Sequence, residues 1–422
     1  METITVRGGR VLSGEVIIHG AKNSALPLLA ATFLAHGTSE IHNCPNLSDV
    51  QASMAILRHL GCRVLRQGGC VTVDASAPTK SEIPDKLMRE MRSSIVFLGA
   101  IIARLGEATM SYPGGCELGP RPIDLHLSAL RRLGVTVEER HGRIYCRAEG
   151  GLRGADITLA FPSVGATENV LLAACTARGT TVLRNAAREP EIQDLCEYLN
   201  ACGANIYGDA HGVLIIEGVP RLHGCAHAVI PDRIEAATYL AAAAVTGGHL
   251  ALRHCCVPHT SPVFPALEEG GCVVRALEEG DARQAVEIRA PKRLHRMGTV
   301  RTMPYPGFPT DAAAPLLAAA CVADGTSVFV ESIFENRYKY VDELARMGAH
   351  IQVDGRVAVV EGVPSLQGAS VACTDLRGGA ALVVAALAAG GETTITELKH
   401  LDRGYENLTA CLRAVGADIH RE

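Results

Sequence analysis

Hydrophobic and polar positions along this 422-residue chain are organised by one motif, Leu-x-x-x-Gly-x-x-(Val/Ile), which recurs six times. It runs Leu57 to Val64, Leu130 to Val137, Leu199 to Ile206, Leu267 to Val274, Leu344 to Ile351 and Leu412 to Ile419, with successive glycines 68 to 77 residues apart. Such regular self-similarity is the signature of an internally repeated fold. Upstream of each copy lies an Ala-rich apolar segment of helical length, expected to end at Gly37, Gly106, Gly179, Gly247, Gly325 or Gly390, because glycine commonly closes helices. A short β-type run follows each stop, as in Thr180-Thr-Val-Leu183. An amphipathic helix then leads into the motif and further strands. Each unit of about 70 residues therefore reads β-α-β-α-β-β. The Ala-rich helix, apolar nearly all round, predicts burial, whereas the second helix keeps one wet face, as in Val341-Asp-Glu-Leu-Ala-Arg-Met347.

Single hydrophobic cores stop growing near roughly 250–300 residues, so six units predict two α/β domains of three repeats each. In such a domain the sheets enclose the helices. The expected boundaries are residues 1–21 plus 232–422 for one domain and 22–231 for the other, with Ile230-Pro231-Asp232 as the crossover. A six-unit solenoid is the alternative, but common solenoid repeats run roughly 20–50 residues, shorter than these.

The composition, 48% hydrophobic and 20% charged, excludes disorder. A net charge of −5 argues against a general nucleic-acid binder and requires any anionic substrate to be met by a local cluster of cations. The fifteen cysteines are odd in number and scattered, often inside apolar segments, and the N-terminal residues do not resemble a signal peptide. They read as reduced thiols of a soluble cytoplasmic protein. No apolar stretch reaches the roughly 20 residues of a membrane span. His254-Cys255-Cys256-Val-Pro-His259 lacks the paired spacing of a zinc site, and no Gly-rich phosphate-binding motif is present, so neither metal nor cofactor is expected.

Candidate chemistry gathers where the buried helices begin. Five of the six starts carry charge: Lys22-Asn23, Arg92, Asp232-Arg233, Asp311 and Arg377. The third, Ser163-Val164-Gly165, presents polar backbone. Cations are unfavourable beside the positive end of a helix dipole, so their placement points to an anionic ligand. Further arginines recur between units at Arg121, Arg188, Arg337 and Arg403, offering the paired donors that fit carboxylate and phosphate. The stretch Pro113 to Pro122 has three glycines and three prolines around Cys116, which predicts a flexible lid with one reactive thiol.

These residues resemble the enolpyruvyl transferases, and among them the UDP-N-acetylglucosamine 1-carboxyvinyltransferase family. The likeness runs the whole length through Gly20-Ala21-Lys22-Asn23-Ser24, Met91-Arg92-Ser93-Ser94, the Cys116 loop, Ser163 to Asn169, Ala187-Arg188-Glu189-Pro190-Glu191, Pro231-Asp232-Arg233, Phe308-Pro309-Thr310-Asp311, Phe334-Glu335-Asn336-Arg337, Thr374-Asp375-Leu376-Arg377 and Asp402-Arg403-Gly404-Tyr405. The resemblance implies a two-domain inside-out α/β barrel. It also implies transfer of the enolpyruvyl group of phosphoenolpyruvate to the 3′-hydroxyl of UDP-N-acetylglucosamine, with release of phosphate, as the first committed step of peptidoglycan synthesis. By the same resemblance Lys22, Arg121 and Arg403 hold phosphoenolpyruvate, with Arg337 and Arg377 nearby. Asn23, Arg92, Arg121, Pro122, Ile123, Asp124, Leu125, Ser163, Val164, Gly165, Asp311 and Ile333 match the sugar-nucleotide site. Cys116 matches the proton donor and the target of fosfomycin, and Asp311 the proposed base.

The chemistry asks for these residue types. Phosphoenolpyruvate carries two anionic groups on three carbons and needs several cations to offset its desolvation. Protonation of its C3 methylene needs an acid, and the sugar hydroxyl needs a base. The chain departs from the family at Ala160-Phe161-Pro162, where some members have lysine, and at Glu117, where a small or neutral residue is usual. The sister enzyme acting on shikimate 3-phosphate lacks the Gly-Gly-Cys-x-x-Gly lid. A silent, sugar-nucleotide-sensing copy would be expected to lose some of Lys22, Cys116, Asp311 and Arg403.

Overall fold

The computed structural model describes residues 2–112, 123–209, 211–279 and 283–422. These fall into two compact units, residues 2–19 with 231–422 and residues 20–112 with 123–230. Each has its own apolar core.

The repeat is clearest over residues 156–217. Strand Asp156–Thr158 leads to helix Val164–Ala174, strand Thr180–Arg184, helix Pro190–Ala201 and the hairpin Asn205–Gly208 with Leu214–Glu217. In the sheet, Asp156–Thr158 pairs parallel with Thr180–Arg184, which pairs antiparallel with Leu214–Glu217, Thr180 facing Glu217. The βαβαββ order is thus realised as a four-stranded sheet with one parallel edge. Among the described residues six such sheets form, three in each unit.

Three of the sheets depend on strands from distant parts of the chain. Strand Ala226–Ala228 joins Thr38–His42 to complete the first repeat. Strand Ser13–Ile17 lies parallel to His249–Arg253 and opens the fourth. Strand Ile4–Arg7 is inserted between Glu392–Thr396 and Asp418–Arg421, finishing the sixth. A central strand needs hydrogen-bonding partners on both edges, so the N-terminal residues are built into the middle of a sheet formed by the C-terminal ones.

In the unit formed by residues 2–19 and 231–422, helices Arg233–Thr246, Thr310–Ala320 and Leu376–Ala388 pack against one another. Their small residues let the backbones approach closely. Every residue from Arg233 to Val245 and from Arg377 to Leu387 is buried. The strands alternate instead, as in Thr326–Val330, where Ser327 and Phe329 point inward. Helices inside and sheets outside is the expected arrangement, and mutual packing of three inner helices replaces the nearest-neighbour stacking of a solenoid.

The motif glycines Gly61, Gly134, Gly203, Gly271, Gly348 and Gly416 all have positive φ, between 88° and 103°, immediately after the second helix of each repeat. A side chain is strained there, which explains why the position is always glycine. The leucine four residues earlier is fully buried in every repeat. The expected helix stops need correction. Gly106 and Gly247 do cap their helices in the left-handed conformation. Helices Lys22–Thr32, Val164–Ala174 and Thr310–Ala320 end five residues before Gly37, Gly179 and Gly325, which turn the chain into the next strand. In the sixth repeat Gly391, with φ of 90°, takes that role in place of Gly390.

Candidate functional site

In the unit formed by residues 2–19 and 231–422, the polar centre is built on the starts of the inner helices. Asp311 opens helix Thr310–Ala320, and its two carboxylate oxygens serve different arginines: Arg337 Nη2 donates to Oδ1 at 2.5 Å and Arg377 Nη2 to Oδ2 at 3.0 Å. Both guanidinium side chains are almost wholly buried, 3% and 2% exposed, while Asp311 keeps 25% of its side chain accessible. Each cation also faces a ring, Arg337 over Phe334 at 5.5 Å and Arg377 over Tyr405 at 5.4 Å. Desolvation opposes the charge on Arg377, but Tyr405, Asp311 and Asp232 outweigh it and raise its pKa. Among the described residues, Arg377 Nε and Nη1 and Arg337 Nε meet no hydrogen-bond acceptor. Buried guanidinium N–H groups left this way strongly favour an incoming anion.

Carboxylates hold this centre in shape. Asp375 caps helix Leu376–Ala388, its Oδ1 accepting from the backbone N–H of Arg377 and Gly378 at 3.0 Å each. That contact offsets the misfit of an arginine at a helix start. Asp232 does the same for helix Arg233–Thr246, accepting from the N–H groups of Ile234 and Glu235. The buried Glu331 accepts from Thr302 Oγ1, Thr310 Oγ1 and the backbone N–H groups of Ile333 and Phe334, at 2.6 to 3.0 Å. One carboxylate therefore fixes the half-buried Ile333 and ties its turn to the residue preceding Asp311. Arg403 ends the short turn Leu401–Arg403 and is half-buried.

In the unit formed by residues 20–112 and 123–230, Lys22 is the first residue of helix Lys22–Thr32, with Asn23 half-buried beside it. Lys22 Nζ lies 3.1 Å from Asp49 Oδ2, and both side chains are buried. Asp194 accepts from Ser24 Oγ and sits 2.7 Å from His227 Nε2, bracing the same helix start. Arg92 heads a 3-10 turn, Arg92–Val96, and the helix proper begins later, at Phe97. Ser163 caps helix Val164–Ala174, accepting from Ala166 N at 3.3 Å. Asn169 of that helix contacts His126 Nδ1 at 2.8 Å, donates to Ile95 O and accepts from Gly99 N. This network brings Ser163, Val164 and Gly165 beside helix Asp124–Arg132, where Ile123 is buried, Leu125 half-buried and Asp124 exposed. A Cβ on Gly165 would lie 2.9 Å from the His126 ring. A groove of about 460 Å³ runs along this helix, lined by Leu125, Ser128, Arg132, Ile157 and Ala160 among others.

Glu168, like Glu191, is a further buried carboxyl group of that unit. Burial, with Glu191 and Glu189 nearby, pushes its pKa far above the carboxylate range. Arg188 is exposed, unlike the loop arginines Arg337 and Arg403. Cys116, Glu117, Arg121 and Pro122 lie outside the described residues. The sequence reading missed Asp49, Asp194 and Glu331; only their burial beside a cation, a hydroxyl or a turn reveals them. No helix among the described residues is long and apolar enough to cross a membrane.

Residues 6–412 match the family model of EPSP synthase (3-phosphoshikimate 1-carboxyvinyltransferase). The chain is 50% identical, over all of both lengths, to the UDP-N-acetylglucosamine 1-carboxyvinyltransferase 2 of Caldanaerobacter subterraneus subsp. tengcongensis. It is likewise 50% identical to the UDP-N-acetylglucosamine 1-carboxyvinyltransferase 1 of Symbiobacterium thermophilum, covering all of this chain and 95% of that one. Among solved structures it is similar to the enolpyruvyl transferase NikO from Streptomyces tendae, with a TM-score of 0.87 and 28% identity over 100% of this chain and 98% of that one. The chain belongs to the enolpyruvyl transferase family, and its fold is the two-domain inside-out α/β barrel of that family.

Proposed function

We propose that this enzyme transfers the enolpyruvyl group of phosphoenolpyruvate to the 3′-hydroxyl of UDP-N-acetylglucosamine and releases phosphate, opening peptidoglycan synthesis in the cytoplasm. The observation that carries the step from family to chemistry is the Asp311 centre: two buried guanidiniums with spare donors beside a partly accessible carboxylate. The names of the two full-length relatives favour the sugar nucleotide over shikimate 3-phosphate as acceptor.

Lys22, Arg121 and Arg403 take the carboxylate and phosphate of phosphoenolpyruvate, with Arg337 and Arg377 adding charge. Asn23, Arg92, residues 121–125, Ser163, Val164, Gly165 and Ile333 take the sugar nucleotide. Cys116 delivers a proton to C3, which makes C2 electrophilic. The 3′-hydroxyl oxygen then bonds to C2 while Asp311 accepts its proton. Collapse of the resulting ketal breaks the C2–O bond to phosphate and, with loss of a proton from C3, restores the double bond. Residues 1–21 with 232–422 form the phosphoenolpyruvate-side domain in this reading, and residues 22–231 the domain that carries the Cys116 loop.

The test is phosphate release from phosphoenolpyruvate with either acceptor. Release that depends on UDP-N-acetylglucosamine, with the enolpyruvyl ether found by mass, is expected. Release with shikimate 3-phosphate alone would reverse the acceptor assignment, and binding of both substrates without release would indicate a sensor.

A further inference from the structure

Two thiols outside the centres described above lie in contact. Cys202 caps the C-terminal end of helix Pro190–Ala201, and Cys225 immediately precedes strand Ala226–Ala228. Their sulfurs are 3.2 Å apart across 23 positions of sequence. A disulfide bond is about 2.05 Å long, so roughly 1 Å of approach separates this pair from bonding. Cys202 is buried, whereas Cys225 is partly accessible, so a small reagent can reach one sulfur while the other waits behind it. The two segments are already braced by Asp194 and His227, one from each, at 2.7 Å.

We propose that Cys202 and Cys225 are a reversible redox pair whose disulfide clips the helix of the third repeat to the strand that completes the sheet of the first. With a small dialkyl disulfide as oxidant, Cys225 thiolate attacks one of its sulfurs and expels one thiol, leaving a mixed disulfide. Cys202, losing its proton, then attacks the Cys225 sulfur and expels the second thiol. Two electrons pass from the protein to the reagent, and the two protons leave on the two released thiols. Burial pushes the Cys202 thiol up to about 12 and also raises Cys225, so the exchange is slow at neutral pH and faster in mild alkali. The bond ties the Cys225 segment, whose backbone oxygen accepts from Glu40 N, to the far end of the helix that carries Asp194.

The experiment incubates the full chain with oxidised glutathione at pH 8.5, blocks residual thiols, and maps disulfides by mass spectrometry without reduction. The expected result is one Cys202–Cys225 cross-linked peptide, removed by dithiothreitol. Oxidation should also raise Tm by several degrees, since a closed loop restricts the unfolded chain. That rise should vanish in Cys225→Ser, whose reduced-state Tm should stay close to that of the parent. Glutathione retained on Cys225 without cross-linking, or cross-links distributed over other cysteine pairs, would overturn the proposal. So would a Tm rise that persists in Cys225→Ser.

Discussion

Arg377 donates to Asp311 at 3.0 Å from a guanidinium only 2% exposed, and the same Asp311 receives Arg337 on its other oxygen. The carboxylate that is proposed to accept the sugar hydroxyl proton is thus also the counter-charge of two buried cations. Function and stability are therefore coupled at this residue.

Asp311→Asn keeps the shape but removes the charge and the proton acceptor. Activity is expected to fall by about 10²–10⁴, the usual contribution of a positioned base. Asp311→Asn and Asp311→Ala both leave the two guanidiniums without their counter-charge, a change of the kind that destabilises by about 3–5 kcal/mol, and Ala in addition removes the hydrogen-bond acceptor oxygen that Asn keeps. Urea denaturation of the two variants beside phosphate-release assays should find both less stable than the parent, with Ala the less stable of the two.

Glu331 organises four donors, so its removal should be felt at the turn carrying Ile333. Glu331→Ala strands the N–H groups of Ile333 and Phe334, each buried unsatisfied group being worth about 1–3 kcal/mol. Glu331→Gln retains one acceptor oxygen and should lose less than half as much. A rise in KM for the sugar nucleotide, with phosphoenolpyruvate affected less, is the expected kinetic mark in both.

His19 Nδ1 lies 2.9 Å from Glu235 Oε1, and its backbone N–H donates to Oε2. The hydrogen bond to Glu235 raises the imidazole pKa above its ordinary 6.5; burial opposes this, and Glu406 and Asp232 add to it. A folded-state pKa above the unfolded value means the pair stabilises fully below pH 6.5 and loses its effect as pH climbs through the raised value. The Tm difference between the parent and His19→Gln should therefore shrink from pH 6 to pH 9. A difference that is flat across that range would remove the ionised pair from the account.

Fosfomycin, added with UDP-N-acetylglucosamine, is expected to increase the mass of the protein by one adduct, at Cys116. The buried thiols should stay unmodified because burial disfavours their thiolates, with Cys62, Cys146, Cys272, Cys321 and Cys373 each pushed up to about 12. Peptide mapping that finds the adduct elsewhere would contradict the proposed role of Cys116.

Gly99 faces helix Val164–Ala174 so closely that a Cβ there would lie 2.4 Å from the backbone oxygen of Asn169. Gly99→Ala should destabilise by about 1–3 kcal/mol, as overpacking does, because backbone has to move. Gly165→Ala meets only side-chain atoms, the edge of the His126 ring at 2.9 Å, rather than backbone, and should be milder in denaturant titration. Its effect should appear instead in sugar-nucleotide affinity.

The sequence by itself determined the six repeats, their βαβαββ order and the burial of the Ala-rich helices, because each of these is a local property. A glycine whose backbone needs positive φ, a leucine at the last inward position of a helix and an apolar run without a wet face are all written within a few residues. It also marked Lys22, Asp311 and Arg377, since charge at the start of an apolar helix stands out against its neighbours. Only the tertiary structure decided which carboxylates answer those charges. Asp49, Asp194 and Glu331 read as ordinary polar residues until folding buries each beside its partners, across intervals no local pattern encodes. The same holds for strand Ile4–Arg7, whose place between Glu392–Thr396 and Asp418–Arg421 follows from unfilled hydrogen bonds on two edges at the other end of the chain. Partner choice at such distances is decided by what else is buried nearby, and that is settled when the chain folds.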